Sequence, residues 1–421
     1  MSVSVSATLA ANEALENRRR AGLPVLPLAF GEAGLPVHPA LSERLAAAAT
    51  GRNAYGPVAG TPELREAAAG YWVRRGSPTP PDQVVAGPGS KPLLFALLLA
   101  IGGDVAVPKP SWVSYAAQAG LTKARPIFVP TREGRGGVPD ADALARAVRL
   151  ARAGGREVRS VVVTLPDNPT GTLATPRDVR DLCSVARELD LTIIADEIYR
   201  DLVHDPDAEF LSPAALLPER TVVTTALSKS LALGGWRIGV ARLPDGEYGR
   251  RLRDELLGVA SEIWSSPAGP IQDAAAYAFS EPDELTAHIA LSRRLHGRVA
   301  HAVADRFAAA GARVVRPQGG FYLYPDFEPL RGALGVSGNR ELAARLLDEH
   351  GVGVLPGAEF GDDEHALRLR VATSLLYGDS VERREAALAA DEPLALPWIA
   401  DSLARLEEAL AKVTRPALVA L

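Results

Sequence analysis

From about residue 80 to about residue 260, short β-branched or apolar runs alternate with helical patterns. That alternation constrains the fold more than any other feature of the chain. Gln83–Ala86, Asp104–Val107, Pro126–Val129, Ser160–Thr164, Thr192–Ala195 and Thr221–Thr225 read as strands, and Ser90–Ile101, Ala141–Ala153 and Pro176–Leu189 as helices between several of them. Strands that alternate with helices make βαβ units, and these build an α/β fold with a mostly parallel sheet covered by helices on both faces. Upstream, Thr61-Pro62-Glu63 opens a further helix. Thr61 caps it, and Pro62 suits the first position because the N–H it lacks would go unpaired there. Past residue 285 the rhythm changes. Helices Leu291–Ala310 and Arg340–His350 flank the short strands Gly320–Tyr324 and Ala366–Val371, which predicts a smaller α+β unit. Ser380–Pro397 reads as an insertion before a last helix, Ile399–Val413. With 421 residues the chain exceeds what one core normally holds, so two domains are expected.

Charge and cysteine content narrow the function classes. The net charge of −5 is modest and both signs are interspersed, so no nucleic-acid surface is indicated. Arg18-Arg19-Arg20 reads as a solvated helix face. The single cysteine, Cys183, excludes an internal disulfide framework and a cysteine-based metal cluster, and no metal is expected. The start, Met1-Ser2-Val3-Ser4-Val5-Ser6, lacks the basic and apolar regions of a signal peptide. The longest apolar run, Leu93 to Ile101, falls well short of the roughly 20 residues a spanning helix needs. A cytoplasmic protein is expected.

Lysine is scarce: five of the 46 basic residues are lysine. One of them, Lys229, sits in the Gly-rich stretch Ser228-Lys229-Ser230-Leu231-Ala232-Leu233-Gly234-Gly235-Trp236-Arg237-Ile238-Gly239, after a strand-like run. A chain that builds its surface charge from arginine has little generic use for an amine there. Only an ammonium whose pKa can be lowered becomes a nucleophile, so a Schiff-base lysine is the candidate role. A lysine in a loop is more commonly a solvated charge.

Three more motifs follow strands, where open α/β sheets bind ligands. Gly87-Pro88-Gly89-Ser90-Lys91 opens a helix whose free N–H groups suit a phosphate. Pro92 stands where a dinucleotide fingerprint needs its third glycine, and the spacing is not that of a P-loop. Asn168-Pro169-Thr170-Gly171 reads by itself as a turn. Asp196 ends a buried strand, where a carboxylate costs several kcal/mol unless paired; it is either a helix cap or the partner of a buried cation.

Taken together, in this order, the motifs resemble the fold-type I pyridoxal-phosphate enzymes of aminotransferase class I/II. The resemblance covers nearly the whole chain and includes Asn53–Gly60, Pro110–Tyr115 and Arg368–Ser374. It implies a large cofactor-binding domain over 50–285 and a small domain from 1–49 with 286–421. It implies pyridoxal phosphate on Lys229, Asp196 against the pyridine nitrogen, and Asn168 and Tyr199 on the ring oxygen. Trp112 would stack on the ring. Ser90, Lys91, Ser228 and Arg237 would surround the phosphate. Tyr55 would reach the phosphate of a neighbouring subunit, which implies a homodimer. Arg368 would clamp the substrate carboxylate, helped by the backbone of Gly31 and by Asn168, while Arg370 is read as a solvated strand residue. Ala226 departs from the pattern, which usually has a phosphate-binding hydroxyl at that place. Either Thr225 supplies the contact or the phosphate has one ligand fewer. The activity implied is transfer of an amino group between an L-amino acid and a 2-oxo acid. The alternative on the same scaffold is a lyase, cyclase or oxidase. Phe30, Leu35, Trp264 and Tyr322 are expected in the side-chain pocket, favouring an apolar or aromatic substrate.

Overall fold

The computed structural model describes residues 5–414. A seven-stranded sheet runs in the order Val84–Gly87, Gly239–Arg242, Thr221–Ala226, Thr192–Asp196, Val158–Thr164, Asp104–Lys109, Pro126–Pro130. Thr221–Ala226, Thr192–Asp196, Val158–Thr164, Asp104–Lys109 and Pro126–Pro130 pair in parallel. Gly239–Arg242 is antiparallel to both of its neighbours. This strand escapes sequence reading because it is four residues long, starts with glycine and follows Arg237 in the left-handed region at φ 54°.

Thr192–Asp196 and Thr221–Ala226 are buried along their whole length, and Val158–Thr164 is buried except at Arg159, as expected of a sheet covered on both faces. One face meets helices Ser90–Ile101 and Gly246–Ile263, joined through Leu93, Leu97, Val107, Ile194 and Leu256. The other meets Pro62–Arg74, Ala141–Ala153, Pro176–Glu188 and Gly269–Ser280, around Trp72, Val161, Leu182 and Ile193. Local chemistry sets the helix starts. Thr61 Oγ1 accepts from the Leu64 N–H, Asp140 Oδ1 from that of Ala143, and Thr175 and Asp178 form a reciprocal capping box.

A separate apolar core lies around the long helix Asp283–Ala309 and the last helix, Pro397–Thr414. Beside it a three-stranded antiparallel sheet places Leu369–Ala372 between Leu355–Pro356 and Tyr322–Leu323. Leu26–Pro27 pairs with Val352–Gly353, so the N-terminal segment joins this unit. Helix Pro39–Ala48 does not: Leu41 packs into the core of the large sheet. Ser380–Pro397 supplies helix Val381–Ala389 and a short turn, Pro393–Ala395.

Candidate active site

Where the two regions meet, a cavity of about 450 Å³ opens at the carboxyl ends of the parallel strands. Its walls include Ser90, Lys91, Trp112, Asn168, Asp196, Tyr199, Ser228, Lys229 and Arg237 from the large sheet, and Gly31, Tyr322 and Arg370 from the other side. Chain segments up to 364 residues apart in sequence thus converge, from Ser6 to Arg370.

Lys229 lies in the short helix Leu227–Ser230 that follows strand Thr221–Ala226. Its Nζ donates to Gly31 O at 2.5 Å and stands 5.9 Å and 5.7 Å from the ring centres of Tyr199 and Phe321. Asp196 ends the neighbouring strand and is buried. Burial pushes its carboxyl up to about 6, against hydrogen bonds from Tyr115, the Ile198 N–H and Thr224 and the charge of Lys229. Tyr115 donates its one proton to Asp196 Oδ2 at 3.0 Å, so Thr164 Oγ1, 2.7 Å away, donates to Tyr115.

The cradle beside it is built for an anion. Helix Ser90–Ile101 starts without a side-chain cap, which leaves its first N–H groups unspent. Gly89 precedes it at φ +96°, and a Cβ there would lie 2.4 Å from Arg237 Nη2, so glycine is what lets the guanidinium close over the helix start. Lys91 Nζ stands 5.0 Å over the Trp112 ring; burial, then Arg237 and Lys229, hold its pKa down. Asn168 Oδ1 is buried with no hydrogen-bond partner, as is Thr8 Oγ1 from helix Ala7–Arg20. An uncapped helix start, three neighbouring cations, an orphaned amide oxygen and a paired carboxylate fit a phosphorylated heterocycle with a basic ring nitrogen.

At the far end, the structure corrects the sequence reading. Arg368 is not in the cavity. Its side chain is 39% exposed and pairs with Asp362 at 2.9 Å and Asp326 at 3.6 Å. Arg370, expected in solvent, is 1% exposed. It lines the cavity, donates to Ala29 O, and lies 4.9 Å over the ring of Tyr322 and 5.1 Å over that of Phe360. Its Nε has no partner. Among the described residues no carboxylate comes within ion-pair distance of it, and burial holds its pKa down. Two residues of strand span about 6.6 Å, enough to carry Arg368 beyond the cavity and into reach of two acids.

Other expectations divide as well. Phe30 and Tyr322 line the cavity; Leu35 packs in the core around helix Asp283–Ala309, and Trp264 against the large sheet. Tyr55 is 93% exposed and outside the cavity of its own chain. Ala226 packs with Ala33, Tyr199 and Phe321, and Thr225 does not line the cavity. Sequence reasoning missed Ser6, Thr8 and Leu9, which line the cavity from the chain's start, and Thr164. Nothing local marks the first three. Thr164 ends a strand, the position that signalled Asp196.

The profile of the family described as aminotransferase class I and II matches residues 24–375. The chain belongs to this family. It is 34% identical over 378 residues to a probable aspartate/prephenate aminotransferase of Thermus aquaticus, covering 88% of this chain and 93% of that one. To the aspartate/prephenate aminotransferase of Thermus thermophilus it is 32% identical over 375 residues, 88% and 92% of the two chains. The solved structure of Thermus thermophilus aspartate aminotransferase with maleate superposes with a TM-score of 0.81 at 29% identity, over 97% of each chain. The protein is therefore an aminotransferase of fold type I, acting on amino acids and 2-oxo acids. Among the described residues no helix is long and apolar enough to cross a membrane.

Proposed function

We propose that this aminotransferase works with pyridoxal phosphate held in the cavity described above, and that a dicarboxylic amino acid such as aspartate is among its donors. The observation that carries the reading is the pairing, in one cavity, of the Lys229 amine with Arg370, a buried guanidinium that lacks an acid partner. A buried charge costs several kcal/mol unless paired, so Arg370 calls for an anionic ligand. A substrate α-carboxylate supplies one, in the planar two-bond contact a guanidinium favours. Arg370 thus takes the role first given to Arg368.

When bound, the cofactor supplies a carbonyl that links to an amino group and a ring that withdraws electrons from the substrate Cα. Asp196 keeps the ring nitrogen protonated, with Tyr115 and Thr224 fixing its carboxylate. The Ser90 and Lys91 N–H groups, Ser228 and Arg237 hold the phosphate. Asn168 and Tyr199 bond the ring oxygen, and Trp112 covers the ring face. Lys229 Nζ, released from Gly31 O, takes the proton from the substrate Cα and returns it on the other side of the transfer. One amine can serve as base and then as acid, because the proton it accepts as a free amine is the one it returns as an ammonium.

Lys91 Nζ adds a cation to the cavity and has no ion-pair partner among the described residues. That favours a second carboxylate on the substrate over the apolar side chain read from Phe30 and Tyr322. The names of the Thermus relatives agree with it. The same proposal includes a homodimer in which the exposed Tyr55 reaches a second copy's phosphate, a division near residue 285 supported by two separate cores with helix Pro39–Ala48 on the large side, and a cytoplasmic setting.

The test is the absorbance of the purified, cofactor-loaded protein before and after single amino acids are added without an oxo acid. Bleaching of the yellow form by aspartate or glutamate is expected. A protein that stays yellow with every amino acid, or that releases ammonia or consumes oxygen, would sink the reading.

A further inference from the structure

Tyr322 comes from the strand Tyr322–Leu323, outside the large sheet, yet its hydroxyl reaches both Tyr199 and the backbone carbonyl that holds Lys229. It is 3.0 Å from Tyr199 Oη and 3.4 Å from Gly31 O. Gly31 O also accepts from Lys229 Nζ at 2.5 Å. Tyr322 is 1% exposed, and its position is tightly defined. A Cβ on residue 31 would lie 2.2 Å from its hydroxyl, and the Arg370 guanidinium lies over its ring.

A tyrosine has one proton to donate. Gly31 O can only accept, whereas Tyr199 Oη can accept from Tyr322 and still donate elsewhere. While Lys229 donates to Gly31 O, the short and well-placed contact belongs to the ammonium, and the Tyr322 proton is directed to Tyr199. When Lys229 Nζ leaves Gly31 O, that carbonyl is buried without its donor, and the Tyr322 proton is drawn to it.

We propose that Tyr322 is a positioning residue whose hydroxyl proton turns between Tyr199 Oη and Gly31 O according to where Lys229 is, so that the strength of Tyr199 as a donor follows the state of the lysine. No proton changes owner and no bond other than hydrogen bonds is made or broken. Donation from Tyr322 polarises the Tyr199 O–H and makes it a stronger donor to the cofactor ring oxygen. This rests on the assignment of Lys229 and Tyr199 to the cofactor given above.

The experiment is a pH titration of the visible absorbance of cofactor-loaded wild type, Tyr322→Phe, Tyr199→Phe and the double variant in saturating 2-methylaspartate, which has no Cα proton to lose and so keeps Lys229 a free amine able to donate to Gly31 O. Removing a donor to Tyr199 weakens its hold on the ring oxygen's negative charge, so the midpoint in Tyr322→Phe should rise by about half a unit to one unit. In the Tyr199→Phe background the same change should add nothing, because Tyr322 acts through Tyr199. Equal midpoints in wild type and Tyr322→Phe, or shifts that add in the double variant, would overturn the role. Should Tyr322→Phe not fold, Tyr322→His keeps an N–H donor on a ring. A midpoint within about 0.3 unit of wild type supports the role, and one raised like that of Tyr199→Phe overturns it. Failure of the underlying assignment reads differently: borohydride would then not fix the cofactor to Lys229 in the wild type itself.

Discussion

The two ends of the cavity are built by different rules. At the Lys229–Asp196 end, Asn168, Asp196 and Lys229 sit at or just after the ends of parallel strands, and the sheet delivers them to the site by chain direction. At the Arg370–Tyr322 end, side chains come from an antiparallel three-stranded sheet in which register decides which arginine faces the cavity and which faces Asp362. The first end was legible as motifs. At the second, the sequence reading put Arg368 at the cavity and the structure puts Arg370 there, because two arginines two residues apart carry the same local signal. Chemistry placed by direction tolerates small slips; chemistry placed by register does not.

The largest expected effect tests the first end. Lys229→Ala should lose turnover by at least about a thousandfold, as expected when the amine that takes and returns the proton is removed, and should give no borohydride-stable cofactor adduct. Retained adduct would break the assignment.

The second end is sharpened by a pair of variants. Arg370→Ala should lower kcat/KM about 100- to 1000-fold for every amino acid, the value of a desolvated bidentate contact. Arg368→Ala should stay within about threefold, because a half-exposed ion pair is worth roughly 0–1 kcal/mol. Steady-state kinetics on both decide it, and the reverse order would restore the original choice of Arg368.

A smaller effect concerns protons at the first end. Asp196 binds a proton at about 6 in the cavity, above the ordinary 3.8, because burial disfavours its charge. A protonated ring nitrogen needs the carboxylate form, so cofactor affinity should fall as pH drops below about 6. Asp196→Asn should flatten that part of the pH dependence, measured by fluorescence titration of the apoprotein. A slope identical in both proteins would remove Asp196 from the interaction.

The smallest effect lies just outside the cavity. Burial raises the Asp167 carboxyl from 3.8 to about 7, and its Oδ1 has no partner. The unfolded chain loses that proton near 3.8 while the folded one holds it to about 7, so the carboxyl costs stability increasingly as pH rises through this window. Asp167→Asn should therefore raise stability by about 1–2 kcal/mol at pH 8 and by nothing near pH 3. Thermal melts at the two pH values check it.

What the sequence determined by itself was local. Apolar runs of strand length, helix starts such as Thr61-Pro62 and Thr175-Pro176, and Gly-rich turns are set by neighbours a few residues apart. They were enough for the α/β architecture and for the cavity's place at the strand ends, while Asn168 and Arg237 joined Lys229 and Asp196 as its residues only through the resemblance that the motifs carry together. The tertiary structure decided what depends on distant partners. It brought Gly31 to Lys229, closed Arg237 over Gly89, turned Arg370 inward beside Tyr322, and laid the first turn of helix Ala7–Arg20 over the cavity. In each case the position follows from packing and register between segments far apart in the chain, which no window of adjacent residues records.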